Sequence, residues 1–191
     1  MIHNKKDLRF YIKEDRKRNN VPQSWTKYFI ERLIYEEHAI IFHYLWNLRH
    51  CEYHLNSKNN IYHKTLYFYY KLRLKRIGTK HNIYIRPNSC GYGLRIMHLS
   101  GGGGVRIGAK QVGNYCGFNA GVLIGQKDGE DNRPIIGNHT AFGPGSKAFG
   151  NLHIGNNVFV APNAVVTKDV PDNCIVGGIP AKIIKQKDAV Y

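Results

Sequence analysis

One apolar residue recurs every six positions through much of the C-terminal half of the chain, and this repeat limits the possible folds most strongly. Nine positions share one register: Val112, Phe118, Ile124, Ile136, Phe142, Ala148, Ile154, Val160 and Val166. Glycine, asparagine or another small residue follows nearly all of them, which suits tight corners between short strands. A short fixed period with one buried residue is typical of a solenoid whose strands stack coil on coil. The repeat therefore predicts a parallel β-helix.

The first 80 residues show helical patterns instead. Ser24 predicts the N-cap of a helix that begins at the next residue, and apolar spacing predicts further helices over His38–Leu55 and Ile61–Ile77. We therefore predict a mainly β protein in two parts. An α-helical region occupies residues 1–80, and a β-helix domain with a C-terminal tail occupies residues 81–191.

The chain is strongly basic, with 28 Lys and Arg against 13 Asp and Glu and a formal net charge of +15. Such a balance favours an anionic partner, whether nucleic acid, membrane surface or a phosphorylated small molecule. The cations are spread along the chain without a nucleic-acid-binding motif, so we favour small anions and no nucleic acid. For the aromatic and basic helix Ile61–Ile77 we favour packing against the solenoid, with contact to an anionic membrane as the alternative.

Two features bear on the compartment. No apolar stretch is long enough to span a bilayer, and Met1–Arg18 is too charged for a signal peptide. We therefore predict a cytoplasmic protein, with a peripheral membrane protein as the alternative. The four cysteines form no CxxC pair, which favours reduced, buried thiols over disulfides or a zinc site. These cysteines are Cys51, Cys90, Cys116 and Cys174.

Three blocks of the sequence resemble the serine acetyltransferase family of hexapeptide-repeat acyltransferases. They are Gly91–Gly101, Arg133–Gly155, and Val166–Pro171 together with Gly177–Lys182. The resemblance implies a left-handed β-helix that assembles as a homotrimer and binds acetyl-CoA as a cosubstrate in grooves between neighbouring subunits. It also implies that His98 is the general base, because acyl transfer to a hydroxyl requires a group that takes the alcohol proton.

The same resemblance points to residues that would bind acetyl-CoA. Small side chains would let the pantetheine arm lie against the backbone, and lysines would meet the phosphates. The residues near the pantetheine groove are Ala141, Gly143, Ser146, Ala161 and Lys168, and those near the nucleotide are Lys182 and Lys185. The fold alone also explains small residues at hexad corners, and solvation alone explains terminal lysines, so both interpretations stay open.

The chain departs from the family pattern at three positions around the acceptor. Tyr84 stands where the family has an aspartate that orients the histidine, and Arg86 and Arg133 stand where it has histidines. Arginines are permanently charged and suit carboxylate or phosphate, so we predict that these three residues contact the acceptor. A replacement carboxylate would have to come from the loop Gln126–Asn132, which holds Asp128, Glu130 and Asp131.

The sequence does not indicate a second catalytic histidine or a metal site in the solenoid. The loop Gln126–Arg133 contains no histidine, unlike the corresponding loop of galactoside and xenobiotic acetyltransferases. His139 and His153 lie within hexads at a spacing that shows no convergent ligand set, so we predict outward, solvated side chains and no bound metal.

We therefore predict an acetyl-CoA-dependent O-acetyltransferase. Related short proteins of this branch are associated with surface polysaccharide modification, so we favour a sugar hydroxyl of a polysaccharide or its precursor as acceptor. The alternatives are serine O-acetylation, N-acetylation of an amino sugar, and a catalytically silent solenoid that acts as a scaffold.

Overall fold

The computed structural model describes residues 1–58, 60–99, 103–129 and 132–187. Within these ranges, four helices precede a solenoid of short parallel strands. The helices are α1 (Lys5–Arg18), α2 (Trp25–Leu33), α3 (Glu37–Asn56) and α4 (Ile61–His81). The change from helix to strand falls between His81 and Ile83, close to the predicted division of the chain; the division into two domains stays a prediction.

Local signals account for the beginnings of two helices. The Ser24 hydroxyl accepts a hydrogen bond from Lys27 N at 3.4 Å, which confirms the predicted N-cap of α2. The Asn60 side chain accepts from His63 N at 2.9 Å and caps α4 in the same way. These caps satisfy backbone donors that have no partner within a helix. Helix α1 was not predicted, because its sequence is mostly charged and has little apolar periodicity.

The predicted end of the last helix before Gly78 is wrong. Helix α4 continues to His81 and ends at Asn82, which has a φ of 55°. A Cβ atom on Gly78 would lie 2.5 Å from the Ile83 carbonyl oxygen, so the glycine permits a close approach between α4 and the first strand. It is a packing residue and does not stop the helix.

The strands form the three faces of a prism. Sheet A contains β1 (Ile83–Ile85), β3 (Val105–Ile107), β6 (Val122–Gly125), β9 (Lys147–Phe149) and β12 (Val165–Val166). Sheet B contains β4 (Gln111–Val112), β7 (Ile135–Ile136) and β10 (His153–Ile154). Sheet C contains β2 (Arg95–Met97), β5 (Gly117–Asn119), β8 (Ala141–Phe142), β11 (Phe159–Val160), β13 (Cys174–Gly178) and the antiparallel β14 (Ala181–Gln186).

All nine hexad residues point into the prism, and each is no more than 2% exposed. Phe118 and Phe142 lie on successive coils with their rings stacked at a centroid distance of 5.3 Å. The parallel β-helix prediction is thus confirmed. All four cysteines are also buried and free, as predicted, and burial raises the pKa of Cys51 and Cys90 to about 12.

The helices close the first coil of the solenoid through a buried ionic cluster. Arg49 of α3 is 0% exposed, and its guanidinium donates to Asp15 Oδ2 at 2.7 Å and to Glu52 Oε2 at 2.9 Å. It also donates to the carbonyl oxygens of Cys90 and Gly91 at 2.9 and 2.6 Å. Burial raises the pKa of both carboxyls and the guanidinium opposes that rise, so the charged forms depend on the three groups staying together.

The same helices satisfy the open edge of sheet C. Strand β2 is an edge strand, and its free backbone groups would otherwise be buried without partners. Asp15 Oδ1 accepts from Leu94 N at 2.9 Å, while the Asn19 side chain donates to Leu94 O at 2.7 Å and accepts from Ile96 N at 3.2 Å. Helix α1 therefore fixes the strand that leads directly into His98.

We expect Arg49→Leu to lower the free energy of unfolding by about 3–5 kcal/mol, because it leaves two buried carboxylates without their cation. Urea denaturation followed by circular dichroism measures this change. Lys27→Ala is the control, because Lys27 pairs with Glu31 at 4.0 Å on the surface, and its loss should change the free energy by about 0.5 kcal/mol or less. Equal effects of the two variants would contradict the assigned role of the cluster.

Candidate active site

The site residues predicted from sequence lie at two different corners of the prism. Chain segments that leave sheet C and enter sheet A form the C–A corner, and segments that pass from sheet A to sheet B form the A–B corner. His98 lies at the C–A corner directly after β2, whereas Arg86 follows β1 at the A–B corner. The short strands of sheet A separate the two corners by about 10 Å within one chain.

His98 is exposed and has a left-handed backbone conformation, with a φ of 56°. Such a φ is uncommon outside glycine and is most often met at corners and functional sites. The next backbone amide, Leu99 N, donates a hydrogen bond to Glu37 Oε1 at the first residue of α3. The helical region thus contacts the chain on both sides of His98, through β2 before it and through Glu37 after it.

Small residues continue the C–A corner below His98 on successive coils. Gly143 N donates to Val160 O at 2.8 Å, and Ala161 N donates to Val176 O at 2.8 Å, so these corners stack directly. Lys182 pairs with Gly177 on the last coil and is exposed. Four coil spacings of about 4.8 Å place Lys182 about 19 Å from the level of His98. Of the predicted cofactor residues, Ala141 lies on β8, two residues before Gly143 of this column.

Two predicted cofactor residues are placed differently. Ser146 is 0% exposed, and its hydroxyl donates to Gly143 O at 2.7 Å, so it closes the corner turn from inside. Lys168 follows β12 at the A–B corner and is therefore separated from the small-residue column within one chain. Lys185 lies on β14 and is exposed.

The A–B corner collects the predicted acceptor residues. The Arg133 side chain at the base of the Gln126–Arg133 loop donates to Gly108 O at 2.8 Å. Asp128 lies in the same loop with a φ of 53°, and its carbonyl accepts from the Asn132 side chain at 3.0 Å. Glu130 and Asp131 lie outside the described residues. Within one chain, neither Arg133 nor Asp128 shares the corner of His98.

Tyr84 lies between the corners, on the outer face of sheet A. The Arg106 guanidinium stacks over its ring at 4.5 Å from the centroid, and both side chains line a cleft of about 750 Å³ between α4 and sheet A. Among the described residues, the lining of this cleft holds four cations and no carboxylate; the cations are Lys71, Lys75, Arg106 and Lys147. The cleft reaches the C–A corner at Gly103 and Gly121.

Sequence reasoning missed these four cations and the contacts of Asp15, Asn19 and Glu37. Strand alternation could have placed Arg106 and Lys147 on one outer face. No local signal connects α1 or the start of α3 to His98, because the contacts join residues far apart in sequence.

His139 and His153 are exposed on the solenoid, as predicted. Among residues 1–58, 60–99, 103–129 and 132–187, no group of three or more His, Cys, Asp or Glu side chains is placed to hold a metal ion.

Comparison with known proteins gives one consistent result. No protein-family profile matches the chain. The serine acetyltransferase of Synechococcus elongatus is 39% identical over 106 residues, which cover 53% of this chain and 42% of that protein. The serine acetyltransferase of Buchnera aphidicola is 31% identical over 171 residues, which cover 84% and 59%. The chain thus spans about half the length of these relatives.

Solved structures agree in fold. Serine acetyltransferase from Brucella abortus superposes with a TM-score of 0.67 at 24% identity, covering 95% of this chain and 69% of that one. The same enzyme in complex with coenzyme A gives 0.65 at 23%, covering 97% and 69%. The Neisseria gonorrhoeae enzyme in complex with serine gives 0.65 at 24%, covering 95% and 70%.

The chain is a serine acetyltransferase-like protein. Its solenoid is the left-handed β-helix of those enzymes, as the sequence predicts, and the sequence match to the Buchnera relative extends over 84% of the chain, so it includes helical residues as well as the β-helix.

Proposed function

We propose that the protein is an acetyl-CoA-dependent O-acetyltransferase with His98 as its general base. The observation that carries this proposal is the position of His98 at the head of the C–A corner, above the stacked small residues Gly143 and Ala161. Gly143 is buried against Pro162 of the next coil, whereas Ala161 is half-buried. The small side chain of Ala161 leaves room for a slender pantetheine arm along the corner, with Lys182 near the phosphates at its far end. The solved complex of the Brucella abortus serine acetyltransferase with coenzyme A supports this cosubstrate.

The proposed reaction moves one proton and one acetyl group. The neutral His98 ring takes the proton of the acceptor hydroxyl while its oxygen attacks the thioester carbonyl carbon. The C–S bond then breaks, the C–O bond of the ester remains, and the protonated ring returns its proton to the leaving thiolate. Because His98 is exposed in the single chain, a neighbouring surface must exclude water from this step.

That neighbouring surface would be a second copy of the chain. In a closed ring of three copies, the C–A corner of one protomer meets the A–B corner of the next, so sheet A faces the threefold axis. His98 would then face Arg86, Arg133 and the loop that contains Asp128 across the interface. This arrangement brings together the two halves of the site that one chain keeps apart.

The first candidate acceptor is L-serine, because the relatives similar to this chain are named serine acetyltransferases. A hydroxyl of an anionic sugar, such as a unit of a surface polysaccharide or its precursor, is the second. The cleft beside the C–A corner favours this second acceptor, because the residues described in its lining include four cations and no carboxylate. It is also favoured by Tyr84, Arg86 and Arg133 in place of the family's aspartate and histidines.

We expect His98→Ala to lower acetyl transfer by about 100-fold or more, because the general base is removed. Free thiol release from acetyl-CoA is measured with L-serine, neutral sugars, uronic and sialic acids, and nucleotide-sugars. His153→Ala, another exposed solenoid histidine, should keep full activity, and both variants should melt like the wild type. Retained activity in His98→Ala would refute the assigned base. Absence of thiol release with every acceptor, together with no acetyl-CoA binding, would favour the scaffold.

We expect Ala161→Tyr to weaken coenzyme A binding by about tenfold or more, because a large side chain would fill the corner along which the pantetheine arm lies. Isothermal titration calorimetry measures the dissociation constant. Gln111→Tyr adds the same side chain to sheet B, away from this corner, and should leave the constant unchanged. Equal constants for both variants and the wild type would place the cosubstrate elsewhere.

A mixing experiment tests the shared site. His98→Ala and Arg133→Ala homotrimers should each be inactive, but trimers refolded from an equal mixture should recover about one quarter of the wild-type activity, because one in four interfaces then carries both intact residues. Sedimentation velocity verifies the trimer. A mixture that stays inactive while forming mixed trimers would show that the site lies within one protomer.

A further inference from the structure

The outer face of α4 is apolar and uncovered. Ile61, Phe68 and Leu72 are 80%, 63% and 47% exposed, and their spacing of seven and four residues places them on one side of the helix, with Tyr69 beside them. The opposite side carries Leu74, which is buried against α3 and the solenoid. Helix α4 therefore has two apolar sides: the inner side is buried, and the outer side is exposed.

Cations flank this outer stripe. Helix α4 has six Lys and Arg and no Asp or Glu. Helical geometry places Lys64, Lys71 and Lys75 along one margin of the stripe, and Lys80 along the other. A soluble helix that only faces water normally carries both signs of charge. Large exposed apolar residues rimmed by one sign of charge indicate a surface that meets something else.

Helix α2 extends the same surface. Phe29 and Leu33 are 55% and 78% exposed, and they line one groove together with Arg76 and Lys80 of α4. Arg76 continues the Phe68 and Leu72 stripe by one helical turn. We call this continuous area the α2–α4 surface, defined by Phe29, Leu33, Phe68, Leu72, Arg76 and Lys80.

We propose that the α2–α4 surface docks on an anionic lipid membrane. Aromatic and aliphatic side chains flanked by lysine and arginine are the composition of helices that lie in the membrane interface. Anionic headgroups attract such a cationic rim, whereas two copies of this surface would bring cations against cations. No helix in the described parts of the chain has the length and apolar character of a bilayer-crossing segment, so the contact is peripheral.

This inference is independent of the acetyl transfer reaction. None of the six residues that define the surface belongs to the proposed catalytic or cosubstrate site. A protein inactive towards every acceptor could still bind membranes, and an active enzyme could fail to bind them.

Co-sedimentation of the full chain with vesicles tests the proposal. We expect binding to phosphatidylcholine vesicles that contain about 30% phosphatidylglycerol, little binding to pure phosphatidylcholine, and a marked loss between about 0.1 and 0.5 M salt, because salt screens the charges. Phe68→Ser with Leu72→Ser should weaken binding by about tenfold or more, and Arg76→Glu with Lys80→Glu should do the same.

Matched variants on the solenoid serve as controls. Ile179→Ser removes an apolar side chain that is 75% exposed, and Lys110→Glu reverses an exposed cation; both should bind like the wild type. Equal losses in these controls would overturn the assigned surface, as would binding that ignores lipid charge. Sedimentation velocity tests whether a second copy of the chain binds this surface instead of a membrane. If Phe68→Ser with Leu72→Ser reduces the number of chains in the assembly and vesicles do not bind the wild type, the surface joins copies of the chain and the proposal is wrong.

Discussion

The buried guanidinium of Arg49 is the interaction on which the arrangement of the molecule depends. It joins carboxylates from α1 and α3 to two carbonyl oxygens of the first solenoid coil, so a single side chain connects both parts of the chain. A β-helix otherwise ends in a ring of unpaired backbone groups, which invites pairing with other strands. Here the side chains of Asp15, Asn19 and Glu52 satisfy these groups. The helical cap therefore keeps this end of the β-helix from pairing with other strands.

The cap also reaches the candidate site. The hydrogen bonds of Asp15 and Asn19 fix the backbone from Leu94 to Ile96, two residues before His98, and Glu37 holds the amide just after it. A general base must be held close to its working geometry, and these contacts fix the backbone on both sides of His98. The ionic cluster therefore helps to support the proposed base, although the two lie on different elements.

The sequence predicts the solenoid well because its period is short and each coil repeats the same steric demand. The inward residue, the corner glycine and the three buried cysteines of the solenoid, Cys90, Cys116 and Cys174, are all local consequences of that repeat. The helical region is predicted less well. The sequence of α1 is mostly charged and does not indicate that Asp15 and Arg16 are buried. Gly78 resembles the glycine that ends many helices, but its role is to permit a close contact between α4 and Ile83. The candidate site is also only partly predictable from the sequence. His98 can be identified from its motif, whereas the contacts that support it join residues far apart in the chain.

A chain of asparagines runs down the corner between sheets B and C. Asn114 N donates to Asn138 Oδ1, Asn138 N to Asn156 Oδ1, and Asn156 N to Asp172 Oδ1, all at 2.7–2.8 Å. These rungs are separated by 24, 18 and 16 residues, from the differences between residue numbers, yet their geometry is nearly constant. The longest coil places its additional residues in the loop at the opposite A–B corner. Coil length can therefore vary at that corner while the ladder keeps the register, so a loop of another length or sequence could replace this one without refolding the prism.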